Sequence, residues 1–548
     1  MGDWRRRYPK VTISAFTETG QEESSVIVPK QRAHTGKRVI SSRLADTPCT
    51  TFGVQGFLDQ LNTTCGTLYN LDNPFLSPLL DDCITNGYDF GMAYSLLRRI
   101  WYTNNWSTIQ DELCRQKEED REMRQKALNG NRIVNTELPP RRVWDLYSNR
   151  VVPCWFMDLH FNGSWLRPIS HAWMDEKDRT VVWTPINGYK WPVPIPKDAD
   201  LNLIRIEMLN LRLEYAWLDV LCLRQVGGQR EDLRAKEWKL DVPTIGRVYR
   251  RSDVVCYLSG LGRPLMLKEG DLESDRSWFR RAWTLQEIGK TRTIAGDTPD
   301  GPLHAKCKDG MYETELLTRF HKQVQSTCTV FLNIIEALRE MRKRVSTNPV
   351  DKIAGLALLM GTKAIPAYYE SESLKDAWTA LVNVMAMSHR GSLFSLCAEP
   401  GNAGKKWRPS WDQVMTKPLP AHPIFPTLEI DRNETEDEDW CNAQGIEGLV
   451  LGLAVVEEGD RRGVLIVKDK GGIEHRFEIT ATHTSPIPED IYAMICACTL
   501  EPEWDCGWIV GRSLPGGKFE KVSMLSSNED YCRLRNLGIA EKRRHILI

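Results

Sequence analysis

The sequence predicts a mixed α/β chain: a parallel sheet with crossover helices, flanked by helical regions and closed by a small antiparallel β domain. Three observations carry that expectation. Between residues 142 and 300, short apolar runs alternate with segments of helical period, the pattern of β–α–β steps in a parallel sheet. From Glu313 the period turns helical. Beyond residue 421, short strands separated by turn residues dominate.

Composition bounds the rest. At 548 residues the chain exceeds one compact core, and 41% hydrophobic with 26% charged residues is a globular balance. A formal net charge of −1 provides no global field for nucleic acid or an anionic membrane. The longest apolar run, near Ile353 to Met360, is too short to span a bilayer. The basic N-terminus has no apolar signal region after it, and Arg6 stands where a myristoylation motif wants Ser or Thr. A cytoplasmic location is therefore expected. The 15 cysteines are odd in number and form no Cys-x-x-Cys pair, so reduced, buried thiols are expected and no metal site.

The elements follow in order. Residues 1–47 are polar and without period, as in a disordered tail. Residues 48–140 carry helical stripes such as Phe57-Leu58-Leu61 and Tyr94-Leu96-Leu97-Ile100-Trp101. Ser107 or Thr108 is placed to cap a nearly all-polar surface helix. The α/β domain spans 142–300. Its first strand is Leu166 to Trp173, and a Pro- and Trp-rich excursion with a turn at Asn187-Gly188 follows. Asp198 is the expected N-cap of a helix bearing Leu201, Ile204, Met208 and Leu211. Strands are expected at Tyr215–Gln225, Asp253–Gly260 and Thr291–Ala295, with a helix ending near Tyr249. Residues 301–420 are helical, including Val330-Phe331-Ile334-Ile335-Leu338 and a buried helix over Asp351–Leu359. Pro-rich Lys417–Pro426 marks a boundary. Residues 421–548 form the β-rich domain, with strands between Leu449 and Leu525, a hairpin turn at Asp469–Gly472 and a basic helical tail.

Tyr215-Ala-Trp-Leu-Asp-Val-Leu-Cys-Leu-Arg-Gln225 resembles the signature strand of the fungal heterokaryon-incompatibility (HET) domain, in which an aromatic, Trp, Asp, Cys and Gln recur in order. Ser170-His-Ala-Trp173 is similar to that family's opening Ser-x-x-Trp. Ile245-Gly-Arg-Val-Tyr249 resembles its helix ending in Ile-Tyr, and Arg281-Ala-Trp-Thr-Leu-Gln-Glu287 its closing Arg-x-Trp-Thr-x-Gln-Glu. The family motif thus marks Trp217, Cys222, Gln225, Tyr249, Arg281 and Gln286. The likeness covers about a quarter of the chain, residues 166 to 290. Leu223-Arg224 departs from the commoner Ile-Asn, and the Gly227-Gly228 loop lacks the usual Asp after Gln.

The resemblance implies a role in fungal self/non-self recognition and programmed cell death. It also implies a core similar to TIR domains, flavodoxin-like modules of which some hydrolyse NAD. On that mapping Glu287 is the catalytic candidate, and Asp219, Trp283, Arg280, Ser170 and Trp173 are candidates for nucleotide binding. Breaking a nicotinamide–ribose bond builds positive charge on the sugar, which a carboxylate stabilises. On a helix Arg280, Trp283 and Glu287 would share one face. No cofactor is required, since NAD would be the substrate.

Plainer readings stand beside these. Trp217 and Trp283 suit core packing, Asp219 a loop cap, Cys222 a buried thiol, and His171 a satisfied core histidine. The second function class is a non-enzymatic module acting by self-association into a homo-oligomer or by binding an incompatibility partner. A dinucleotide oxidoreductase is disfavoured, because no Gly-x-Gly-x-x-Gly follows any expected strand.

Overall fold

The computed structural model describes residues 8–19, 28–103, 105–157, 166–250, 252–289, 291–296, 307–326, 334–360, 364–420, 428–455, 459–497, 506–527 and 537–548. Val330, Phe331 and the Pro-rich residues 421–426 lie outside the described residues. The chain divides into two compact units. Residues 1–328, 344–347 and 367–370 make the first; 329–343, 348–366 and 371–548 make the second.

The first unit holds a mixed six-stranded sheet. In chain order its strands are β1 (Arg142–Asp145), β2 (Arg150–Pro153), β3 (Leu166–His171), β4 (Tyr215–Leu218), β5 (Asp253–Tyr257) and β6 (Thr291–Ile294). Across the sheet they lie in the order β6-β5-β3-β4-β1-β2. Four strands, β6, β5, β3 and β4, run parallel, whereas β1 and β2 form an antiparallel hairpin at the edge. Val254, Val255, Cys256 and Tyr257 in β5, like Ala216, Trp217 and Leu218 in β4, are all buried. Such near-continuous apolar runs are expected of strands covered on both faces. The register sets Ser170 opposite Cys256, His171 opposite Tyr257, and Leu218 opposite Ile169. The carboxyl ends of β3, β4 and β5 therefore lie level at one rim.

Several expectations are corrected here. The Tyr215–Gln225 strand stops at Leu218, and Asp219–Cys222 forms one helical turn. Asp219 Oδ1 accepts the Val220 N–H at 2.7 Å, and the Leu223 N–H closes onto the Asp219 carbonyl at 2.9 Å. A short apolar run is compatible with a strand or a buried turn, and here this local bonding decides. Asp200, not Asp198, caps the Leu201–Asn210 helix, accepting from the Asn202 and Leu203 N–H groups. Asp198 instead pairs with Arg263 at 3.0 Å.

The segment Trp278–Glu287 is not one helix but two short 3-10 turns, Trp278–Arg280 and Trp283–Leu285. Arg281 between them is extended, because backbone bonds from Ala282 N to Val345 O (2.9 Å) and from Val345 N to Arg280 O (2.6 Å) pull it into a bridge. Arg280, Trp283 and Glu287 consequently share no helical face.

The expected tail carries a hairpin, Lys10–Ser14 against Ala33–Lys37. Near it, Glu18 pairs with the buried Arg205 at 3.3 Å, and Gln31 donates to Glu207 at 2.8 Å. Buried polar pairs leave no apolar period, so the composition reads as a tail. The Ile109–Ala127 helix is polar as expected, with i,i+4 pairs such as Arg115–Glu119. Thr108 precedes it but makes no side-chain cap bond.

In the second unit the expected Asp351–Leu359 helix is a short turn, Asp351–Ala354, followed by a 3-10 turn, Ala357–Met360. Its antiparallel sheet joins Glu438–Leu451, Arg461–Lys468, Glu474–Ala481, Lys518–Ser527, Cys506–Leu514 and Asp490–Cys496, the last pairing back onto the first. Ile446, Val450, Phe477, Met494 and Trp508 belong to its core. Glu541–Leu547, expected as a helical tail, is a strand paired with Asp439–Gly445. Its Lys-Arg-Arg run is exposed while Leu547 is buried. Among the described residues no helix is long and apolar enough to cross a membrane.

Candidate functional site

The level ends of β3 and β4 bring Ser170, His171 and Asp219 to one rim, where ligands gather in parallel α/β sheets. Glu287 reaches the same rim from beyond the second 3-10 turn. Its Oε2 accepts a hydrogen bond from the Ser170 hydroxyl. That hydroxyl in turn accepts the indole N–H of buried Trp278 at 2.6 Å. A serine hydroxyl has one proton, so the Trp278 bond leaves that proton directed at Glu287.

Asp219 holds the neighbouring pair. Its Oδ1 lies 2.9 Å from His171 Nε2, and its Oδ2 accepts the Trp173 indole N–H at 3.2 Å. The His171 and Trp173 rings stack with centroids 5.6 Å apart. Asp219 keeps 21% of its side chain exposed and His171 6%, so the carboxylate is the solvent-facing partner.

Electrostatics separates Glu287 from an ordinary carboxylate. Burial, reinforced by the nearby Asp219 charge, pushes the Glu287 carboxyl up to about 7 against the opposing Ser170 bond, His171 and Arg344. Burial works to lower His171, but Asp219 and Glu287 outweigh it and raise its pKa, favouring imidazolium. Burial pushes the thiols of Cys222 and Cys256 up to about 12, which keeps them protonated at neutral pH.

The remaining candidates take other positions. Trp217 is buried, edge-on to Tyr249, whose hydroxyl donates to the Ile169 carbonyl at 3.0 Å. Gln225 donates to the Asp219 and Leu223 carbonyls, fixing the loop after the turn. Arg281 forms the bridge to Val345, and Gln286 is buried. Arg280 pairs with Asp275 at 3.2 Å, and Trp283 packs against Tyr368 with centroids 6.4 Å apart.

Two contributors escaped the sequence reading, and His171, read there as a satisfied core histidine, is buried and bonded to Asp219. Trp278 lies just before the closing motif. Arg344 gave no local signal at all; it donates to the Arg281 carbonyl at 2.9 Å and to Thr284 Oγ1 at 2.7 Å, bracing the turn that leads to Glu287. Among the described residues no group of three or more His, Cys, Asp or Glu side chains is placed to hold a metal. The arrangement can offer a carboxylate to a developing positive charge, and it can take up one proton near neutral pH. Comparison with protein-family models, curated proteins and solved structures gave no match for this chain.

Proposed function

We propose that the chain is a HET-type protein of fungal self/non-self recognition and cell death, whose TIR-like α/β domain hydrolyses the nicotinamide–ribose bond of NAD(+) in the cytoplasm. The observation that carries this reading is the place of the Glu287 carboxyl, bonded to Ser170 at the strand-end rim that also bears Asp219, and its pKa, raised to about 7, supports it. The strand order supports it. Numbered in sequence, the parallel strands β3, β4, β5 and β6 lie in the order 2-1-3-4, the doubly wound order of flavodoxin-like sheets.

The chemistry follows from the side chains. The C1′–N bond breaks with its electron pair leaving on the nicotinamide ring nitrogen, so that group departs neutral and needs no acid. The Glu287 carboxylate faces the oxocarbenium-like sugar. Water then adds at C1′, and its proton passes to Glu287, whose pKa suits proton uptake near neutrality. Asp219, held by His171 and Trp173, offers an acceptor to the ribose hydroxyls. In a test with purified protein, NAD is consumed by the wild type and spared by Glu287→Ala at an unchanged melting temperature. NAD loss equal in both proteins would remove Glu287 from the reaction.

One observation favours the non-enzymatic alternative. The hairpin Arg179–Pro196 exposes Val181 (60%), Trp183 (51%) and Tyr189 (51%), an apolar surface suited to self-association or to an incompatibility partner. On that reading toxicity on expression survives Glu287→Ala and is lost in Trp183→Glu.

A further inference from the structure

The turn that carries Asp219 also anchors a second cluster of charge. Arg142, at the start of β1 and the same rim, donates to the Cys222 carbonyl at 3.4 Å, and buried Trp191 donates to the Val220 carbonyl at 3.3 Å. The guanidinium groups of Arg142 and Arg224 each lie over the Trp191 ring, 5.2 Å from its centroid. Both arginines share one acid. Arg142 bonds Glu237 through both Nη atoms, at 3.0 and 2.6 Å, whereas Arg224 reaches it through Nε alone, at 3.2 Å. Lys190, next to Trp191 in sequence and exposed, adds a third cation, on which the Glu237 charge acts from beyond ion-pair distance. Three positive charges thus converge on one carboxylate.

Like charges gathered in this way repel unless an anion offsets them. Although its side chain is open to solvent, the protein packed around it strips part of its hydration, and with the Arg142 and Arg224 charges this holds the Lys190 ammonium below the usual lysine range. The loop after Gln225 keeps the group in place. A Cβ on Gly228 would meet the Lys190 carbonyl at 2.7 Å, and Gln229 N donates to that carbonyl at 3.2 Å. Glycine at 228 lets the loop lie directly on the Lys190–Trp191 backbone.

The geometry points to Lys190, Arg142 and Arg224 as a subsite for the diphosphate of a dinucleotide whose ribose–base bond lies at Glu287. Arg224, fixed on the Trp191 ring and bonded to Glu237 through Nε alone, presents its Nη groups as preorganised donors to phosphate oxygens, while Arg142 and the Lys190 ammonium add positive charge beside them. For its dinucleotide this subsite rests on the hydrolase reading; for its diphosphate it rests only on the cluster.

The test is calorimetric titration of the full-length protein with ADP and with inorganic pyrophosphate, at low and at physiological salt. Both bind the wild type, and affinity falls as salt rises. Lys190→Glu, at an exposed position with no ion pair to lose, weakens both by about tenfold or more. Arg224→Gln does the same, with its melting temperature recorded because it also leaves the Trp191 ring. No binding of either probe, or binding unaltered by Lys190→Glu, overturns the subsite even if NAD is consumed. Binding sensitive to Lys190→Glu in a protein that consumes no NAD upholds the subsite and removes only the hydrolase reading.

Discussion

Glu287 carries a carboxyl whose neighbours pull in opposite directions. Burial and Asp219 favour its proton, while the Ser170 hydroxyl, His171 and Arg344 favour the charge. Its folded pKa of about 7 lies above the ordinary 4.5, so the folded state holds a proton that the unfolded chain releases. Stability from this group is therefore full below about 4.5 and falls as pH rises to about 7, by on the order of 3 kcal/mol. Glu287→Gln removes that titration. It should melt higher than wild type at pH 8, with the difference vanishing near pH 4, while NAD hydrolysis drops by about a hundredfold or more. Scanning calorimetry at the two pH values checks the first part; equal melting at pH 8 would show that Glu287 is ionised without cost. Ser170→Ala takes away a bond that favours the carboxylate. The alkaline-rising limb of the rate profile should then move up by about one pH unit. A profile that stays in place would show that Ser170 does not set the acidity of Glu287.

Elements were legible where chemistry is local and opaque where distant groups decide. The parallel strands could be read because runs such as Val254–Tyr257 are apolar on both faces. Ser170, Asp219 and Glu287 stood out as polar residues at the ends of such runs or within a compact motif. The end of β4 was not legible, since Val220 and Leu221 are buried in a helical turn as fully as they would be in a strand. Nor was the break at Arg281, which depends on a bridge to Val345, far along the chain. The sequence puts the cap of the Leu201–Asn210 helix two residues early, because Asp198 and Asp200 are equivalent by type and only the bonds to Asn202 and Leu203 separate them. This distinction is measurable. Asp200→Ala should cost about 1 kcal/mol in urea unfolding, whereas Asp198→Ala, which loses a surface pair with Arg263, should cost under about 0.5 kcal/mol. Equal losses would mean that the cap bond contributes nothing beyond the surface charge.

The compact unit that holds the site is not continuous in sequence: it takes back residues 344–347 and 367–370 after the chain has left it. The returning segment has a specific task. Val345 supplies both backbone bonds that hold Arg281 extended, and Arg344 donates to the Arg281 carbonyl and to Thr284, whose hydroxyl also donates to the Trp278 carbonyl at 2.7 Å. Trp278 then holds Ser170, and Ser170 holds Glu287. The carboxyl at the rim is thus positioned by a chain of bonds that starts at Arg344, although no local pattern joins that residue to the site. Arg344→Ala in the full chain takes a donor from the buried Thr284 hydroxyl and one of the donors from the Arg281 carbonyl, and removes a positive charge that favours ionised Glu287. NAD hydrolysis should fall at least about tenfold at pH 7, with part of the loss recovered at pH 8.5 because the Glu287 pKa has risen. Arg344→Ala with wild-type rates across the whole pH range would show that Glu287 is held by Ser170 alone, and that the returning segment only completes the packing.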